Sequence, residues 1–361
     1  MPRGAPTQAS SAGTRPPVWL PTGPARYTGL RVEKPLLLIF YHVEKTGGSA
    51  VMKWLHKMAN NKSVQEPRLT SLFDFTHSTC FLSLYPDLYP AFASAWDDRR
   101  CSAPVAPAWQ TSAISVEFHA YARRRYWETV VPHLPALRKR YAEAGGRVLT
   151  VTLFREPVSH VMSSYRMWPP ATKCKKVTPS CPMVGKHAVA LPGWLPSAVG
   201  LQAGSLTLDS WPHWRQGFHN DKGCTVLPQG RERLASFDVV GVTDCMEHLL
   251  TSLCKSFRWP CEADQHRLQS ALAFALKFKP HGLTYGSSLY RESQAWGHLD
   301  LLNESVRSRV VQAADCDVAI YHDALKRSGL PLPVPPTRQL NRSLCPAATY
   351  VGLDGQPLAA G

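Results

Sequence analysis

The stretch Leu36-Leu37-Leu38-Ile39-Phe40-Tyr41-His42-Val43-Glu44-Lys45-Thr46-Gly47-Gly48-Ser49 decides the architecture of this chain. Residues 36–43 are almost wholly apolar, as expected for a central parallel strand covered on both faces. Thr46-Gly47-Gly48-Ser49 interrupts that run, and glycine lets backbone N–H groups approach a ligand closely. Residues 50–58 then read as a helix, with Val51, Leu55 and Met58 on one face. Strand, glycine turn and helix N-terminus in succession form a general phosphate-holding architecture. Lys45 adds a point charge, and Thr46 and Ser49 add donors. The motif G-x-x-x-x-G-K-[ST] is absent, and the lysine precedes the glycines, so this is not a Walker A loop. Taken alone, the segment reads equally well as an ordinary βα turn with a solvated lysine.

A second segment repeats the pattern. In Val148-Leu149-Thr150-Val151-Thr152-Leu153-Phe154-Arg155-Glu156-Pro157, a β-branched, apolar strand is followed by a residue suited to the first turn of a helix. Arg155 at the strand end and Ser163 two turns into that helix can hold one phosphate jointly. Taken singly, Arg155 is as well explained by a nearby acid, and Ser163 by a helix surface. Two such segments in one chain point to a ligand with phosphate at both ends.

Glu44-Lys45-Thr46-Gly47-Gly48-Ser49 resembles the 5′-phosphosulfate loop of sulfotransferases that use 3′-phosphoadenosine 5′-phosphosulfate (PAPS). Arg155-Glu156-Pro157 with Ser163 resembles their 3′-phosphate motif, including the Arg-to-Ser spacing. Residues 237–250 are similar to the strand and helix after the substrate region in Golgi carbohydrate sulfotransferases, the heparan sulfate 2-O-sulfotransferase group above all. Residues 314–324 are similar to that group's last helix. The resemblance spans roughly residues 35–328. It implies an α/β, P-loop-like sulfotransferase fold, with a central parallel sheet flanked by helices and an irregular substrate-binding insertion. It also implies PAPS as donor, no metal, and a donor site of Lys45, Thr46, Gly47, Gly48, Ser49, Ala50, Arg155 and Ser163. Arg291 joins that site from a basic loop that closes over the nucleotide in the family. Two positions depart from the pattern. Glu44 stands where animal members often have proline, and an acid there is tolerable only if it points away from the sulfonate. His160 stands where a second arginine is common.

Between the two motifs, residues 111–121 read as a strand running into polar residues. Glu117 and His119 are spaced i, i+2 and share a strand face. Both are acid–base types that an environment can tune. In the 2-O-sulfotransferases a histidine pair at the comparable place supplies the base, whereas other sulfotransferases use a glutamate. His119 is therefore expected as the base, with Glu117 as its orienting partner or as the base itself. The alternative is a structural Glu–His hydrogen bond. His42 and His187 are expected in core or surface roles.

The remaining sequence bounds the function. A chain of 361 residues, 44% hydrophobic, accommodates one large α/β domain. A net charge of +15 implies anionic partners: PAPS, and a glycan acceptor that is anionic or neutral. No zinc-finger spacing, RNP motif or long basic block points to nucleic acid. The domain is expected over residues 33–330, with 166–236 an irregular acceptor region whose tryptophans can stack on sugars. Residues 1–32, rich in Pro, Ser and Arg, read as a disordered or targeting segment, and 331–361 as a flexible tail. Residues 294–327 read as one or two helices. Cys174/Cys181 and Cys254/Cys261 are candidate local disulfides, with Cys224 and Cys245 as further candidates. Sequons at Asn61, Asn303 and Asn341 are compatible with a secretory lumen. The resemblance implies the Golgi lumen, reached through an anchor not visible in this sequence; an organellar or cytoplasmic location is the alternative. Competing functions are a P-loop-type nucleotide kinase and a non-catalytic anionic-glycan-binding protein on the same scaffold.

Overall fold

The computed structural model describes residues 36–59, 69–72, 81–85, 87–92, 113–120, 123–167, 194–207, 220, 222–246, 249–250, 253 and 303–330. Five strands make one sheet: β1 (Leu36–His42), β2 (Leu69–Leu72), β3 (Ala113–His119), β4 (Arg147–Phe154) and β5 (Val239–Val242). Their order is β2-β3-β1-β4-β5, and every pairing is parallel. The described helices are α1 (Gly48–Ala59), α2 (Leu134–Glu143), α3 (Pro157–Met167), α4 (Leu201–Ser205), α5 (Leu227–Ala235) and α6 (Glu304–Arg327), with shorter turns between them. The expected α/β class, with a parallel sheet flanked by helices, is the observed one.

β1 is buried along its whole length because both of its faces are covered. Leu36, Leu38 and Phe40 pack against Val51, Trp54 and Leu55 of α1. Leu37, Ile39 and Tyr41 face the opposite core, with Tyr126, Trp127 and Phe237. Each large apolar side chain buried this way contributes about 1.5–3 kcal/mol. A third cluster joins α3 (Val158, Val161, Met162) to Trp194, Leu195 and Leu201 and to Val310, Ala313 and Ala314 of α6. Among the described residues, no helix is long and apolar enough to cross a membrane.

The strand order creates a crevice. After β1 the chain goes to the β2–β3 side, and after β4 it goes to β5 on the other side. The loops that follow these two adjacent strands therefore part, and open parallel sheets bind ligands at the carboxyl ends of such strands.

Residues 166–236 are less irregular than expected, since α4 and α5 fall within them. Gly230 makes that stretch look loop-like, yet it allows close helix packing: a Cβ there would lie 3.1 Å from the Ala203 carbonyl oxygen. Trp194 is buried against Tyr165, with ring centroids 5.5 Å apart, so it serves the core and not a sugar. Within 294–327 the described part is a single helix. The Asn303 side chain caps it by accepting from the Val306 N–H (2.9 Å), and Gly329, at φ 66°, follows its end. Cys224 pairs with Cys316, at a Cα–Cα distance of 5.4 Å, and Cys245 is also disulfide-bonded. Residues 1–32 and 331–361, His187, Arg291, Trp168, Trp211, Trp214, Asn61, Asn341 and the cysteines at 174, 181, 254 and 261 lie outside the described residues.

Candidate active site

Register assembles the acid–base cluster. In the β1–β3 ladder, Phe40 lies opposite Glu117 and His42 opposite His119. Alternation then puts His42, Glu117 and His119 on one face at the carboxyl edge. His42 Nδ1 lies 2.7 Å from Glu117 Oε1, and His119 Nε2 lies 3.3 Å from the same oxygen. On the other edge of His119, Nδ1 lies 2.6 Å from Glu44 Oε1. The imidazole centroids are 4.5 Å apart. The order Glu44–His119–Glu117–His42 thus alternates acid and imidazole. His42, Glu44 and Glu117 are buried, while the His119 side chain is 20% exposed and forms the open end of the cluster.

Charge follows from this arrangement. Burial alone would push the His119 imidazole down, but the Glu44 and Glu117 carboxylates outweigh it and hold the group well above the ordinary histidine range. Burial would raise both carboxylates, yet His119 and His42 hold each below the usual carboxylate range. The resting cluster therefore contains two carboxylates around a His119 imidazolium. Glu44, expected to be tolerable only if it points away from the donor, points at His119.

The loop after β1 is shaped by its backbone. Lys45 has φ 65°, in a region that non-glycine residues rarely occupy, and Gly47 has φ 95°. The Thr46 hydroxyl donates back to the Val43 carbonyl (2.6 Å) and so is engaged within the turn itself. Gly48 starts α1 directly beneath His42: a Cβ there would lie 2.1 Å from the imidazole Cδ2. Ser49 is exposed, and Lys45, Gly47 and Ala50 are half-buried. The first N–H groups of a helix have no acceptor within the helix, which leaves such an end suited to an anion.

Arg155 ends β4 beside this loop. Its Nη1 donates to the Lys45 carbonyl (3.3 Å) and its Nε to Ser159 Oγ (3.0 Å). The hydroxyl that meets the guanidinium is thus Ser159; the expected partner Ser163 lies one turn further along α3, half-buried. Glu156 caps α3, accepting from the Val158 (3.0 Å) and Ser159 (2.6 Å) N–H groups, so this helix end already holds a carboxylate. His160 replaces the expected second arginine with a neutral ring. Its Nε2–H donates to the Glu44 carbonyl (2.8 Å), and its Nδ1 has no hydrogen-bond partner among the described residues. Burial, with the Arg155 and Lys45 charges, pushes it down to about 3. At the same junction the Thr243 hydroxyl is shared between the Phe154 carbonyl (3.0 Å) and the Thr46 carbonyl.

The structure therefore gathers Lys45 through Ala50, Glu117, His119 and Arg155 at one sheet edge. The sequence reading missed three participants: His42, Glu44 in its role as a His119 partner, and His160 as a loop anchor. A lone histidine closing an otherwise apolar strand, two residues before the loop, was the available signal for His42. Among the described residues, His42, Glu117 and His119 also form a set that could hold a metal, with ligand atoms within 4.8 Å of one another.

No protein-family model matches the chain, and no curated protein matches it. The chain is similar to a crystal structure of retinol dehydratase in complex with androsterone and the inactive cofactor PAP, over 84% of each chain, with 12% identity and a TM-score of 0.35. A likeness at that level says nothing about what this chain binds or does.

Proposed function

We propose that this chain is a PAPS-dependent sulfotransferase that moves a sulfuryl group to an acceptor hydroxyl, with a glycan as the acceptor class. One observation carries the reading. Along adjacent carboxyl ends of β3, β1 and β4 stand, in that order, an imidazole–carboxylate cluster, a Lys-Thr-Gly-Gly-Ser loop and an arginine. Such an order suits an acceptor, a reacting sulfur and a distal phosphate laid across the crevice. The glycan class rests on the sequence resemblance and on the net charge of +15.

In this reading the loop residues Thr46 through Ala50 hold the 5′ phosphosulfate, and Arg155, with Ser163, holds the 3′ phosphate. Lys45 stabilises charge on the oxygen that leaves with the phosphate. His119 must first release to solvent, which its 20% exposed side chain reaches, the proton on Nε2, which faces Glu117 through the longer, 3.3 Å contact. The proton on His119 Nδ1 stays there, donated to the Glu44 carboxylate, which so fixes the tautomer as the acid does in a Ser-His-Asp triad. The acceptor oxygen then bonds to sulfur, the sulfur–oxygen bond to the phosphate breaks, and the acceptor proton passes to His119 Nε2.

The test is transfer of labelled sulfuryl from PAPS to neutral and desulfated acidic glycans, with and without EDTA. It is paired with calorimetric titration of adenosine 3′,5′-bisphosphate, 5′-AMP and ATP–Mg²⁺. EDTA-resistant transfer, with binding that requires the 3′ phosphate, supports the reading. Preference for ATP–Mg²⁺ would move it to a kinase, and glycan binding without transfer to a non-catalytic binder.

A further inference from the structure

Arg155 is held by its backbone as firmly as by its guanidinium. β4 ends at Phe154 and α3 begins at Pro157, so Arg155 lies in the two-residue gap between ladder and helix. One buried side chain holds its backbone there. Gln202 Oε1 accepts from the Arg155 N–H (2.8 Å), and Gln202 Nε2 donates to the Arg155 carbonyl (2.8 Å). The amide acts as a neighbouring strand would, continuing the sheet by one residue. Only a side chain with both a donor and an acceptor can do this.

Gln202 is itself placed from elsewhere. It sits at the start of α4, and Asp317 of α6 accepts from the Gln202 N–H (3.1 and 3.0 Å) and from the Ala203 N–H (2.9 Å). Both Gln202 and Asp317 are fully buried. The residue before Asp317 is Cys316, bonded to Cys224. That cross-link closes over the turn that opens α4. A Cβ on Gly200 would lie 3.4 Å from the Cys316 Cβ and 3.2 Å from the Gly223 carbonyl oxygen. Asn220 Nδ2 ties the same turn by donating to the carbonyls of Val199 (2.7 Å), Gly200 (3.1 Å) and Gly223 (2.8 Å). Cys224 is exposed and Cys316 is buried, so the cross-link runs from the surface into the core.

We propose that Gln202 and Asp317 are positioning residues of the donor site, and that the Cys224–Cys316 disulfide clasps them, so that recognition of the donor's 3′ phosphate is set from a cross-link outside the site. The inference rests on the assignment of Arg155 as a phosphate ligand. Neither Gln202 nor Asp317 touches the donor. They fix the direction in which Arg155 leaves the sheet, and a general loss of packing would not produce selectivity for one phosphate.

The experiment titrates the full chain with adenosine 3′,5′-bisphosphate and with 5′-AMP, while thermal unfolding confirms the fold of each variant. Gln202→Met keeps length and removes both hydrogen bonds. It should weaken the bisphosphate about tenfold and leave 5′-AMP unchanged. In turnover, KM for PAPS should rise with kcat retained. Asp317→Ala should act in the same direction, and Asp317→Asn, which keeps an acceptor oxygen, should restore most of the affinity. Reduction of wild-type Cys224–Cys316 should produce a smaller loss with the same selectivity. A folded Gln202→Met protein with wild-type bisphosphate affinity, or with equal losses for both nucleotides, overturns the proposal. If Gln202→Met does not fold, the reduction arm decides: unchanged affinity after verified cleavage overturns it. A wild type that binds both nucleotides equally sinks the donor assignment itself, a result distinct from either of these.

Discussion

The two flanks of the β1 carboxyl end are built in opposite ways. Towards β3, side chains meet side chains: Glu44, His119, Glu117 and His42 form a run in which carboxylate and imidazole alternate. Towards β4, side chains meet backbone: His160 holds the Glu44 carbonyl, Arg155 the Lys45 carbonyl, and Thr243 the Thr46 carbonyl. Glu44 belongs to both flanks, through its carboxylate on one and its carbonyl on the other. The first flank can exchange protons. The second fixes a loop shape, and its histidine, pushed down to about 3, stays neutral across the physiological range. Acid–base work and donor geometry are therefore separable, and variants should separate them.

The largest effects should show this directly. His119→Ala is expected to lower kcat by about 10²–10⁴-fold while affinity for adenosine 3′,5′-bisphosphate is kept. Lys45→Ala should lower kcat by about 10²–10³-fold, since it removes charge stabilisation at the leaving oxygen. Arg155→Ala should act on donor affinity first. Steady-state kinetics with calorimetry checks all three. Equal loss of turnover and donor binding in His119→Ala would erase the distinction between the flanks.

Next in size is the pH response. His119 must lose a proton to act as base, and its pKa is raised, so kcat/KM should climb on the alkaline side of neutrality. Stability should run the other way. The raised imidazole stabilises the fold fully below its unfolded pKa, and that contribution is lost as pH rises through its folded pKa. The lowered Glu44 and Glu117 stabilise above their unfolded pKa and lose that contribution as pH falls. Between about pH 4.5 and 6.5 both contributions are present, so Tm should be highest on the acid side and activity on the alkaline side. Glu44→Gln removes one of the carboxylates that raise His119, so it should shift the rate profile to lower pH and reduce its maximum about tenfold. A pH-independent rate, or an unmoved profile in Glu44→Gln, would show that this imidazole is not the base.

Legibility in the sequence follows the same division. β1, β4 and the helix starts after them could be read because apolar runs, Gly47-Gly48 and Pro157 are local signals. The i, i+2 pair Glu117 and His119 could be read because one strand face is also local. His42 and the role of Glu44 could not, because they depend on β1 lying next to β3 with His42 opposite His119, a register set by the whole sheet. His160 likewise looked like a lost cation, since its bond to the Glu44 carbonyl crosses 116 positions of chain. α4 and α5 do not stand out in the sequence because Gly230 serves close packing there, and composition cannot distinguish that use from a turn.

A smaller effect tests how the flanks meet. Gly48→Ala places a Cβ 2.1 Å from His42 Cδ2 and 2.5 Å from its Nε2. The ring or the start of α1 must move, at a cost of about 1–3 kcal/mol. Denaturant titration measures that loss. Turnover should fall beyond what stability explains, because His42 leaves Glu117; a stability loss with wild-type kcat would place His42 outside the working cluster.

The smallest effect comes from Asp317, a buried carboxyl that supports the donor flank through the Gln202 and Ala203 N–H groups. Burial pushes its carboxyl up to about 7, against the backbone N–H groups that favour the charged form. A folded pKa above the unfolded one means that the stabilising contribution is complete only below the ordinary value of 3.8 and is lost progressively as pH rises from there through about 7. At pH 8 the site therefore carries a buried carboxylate set against the Gln202 and Ala203 N–H groups, whereas at pH 5 it holds a neutral acid. Asp317→Asn fixes the neutral state and keeps an acceptor for the Gln202 and Ala203 N–H groups. Its Tm should exceed that of the wild type by a few degrees, about 2–4 °C per kcal/mol, at pH 8, by less at pH 5, and converge with it only below the ordinary Asp pKa of 3.8. A lower Tm at pH 8 would mean that the N–H groups stabilise the carboxylate more than burial penalises it. The donor flank would then rest on a buried carboxylate as the His119 cluster does, and its contrast with that cluster would be one of degree.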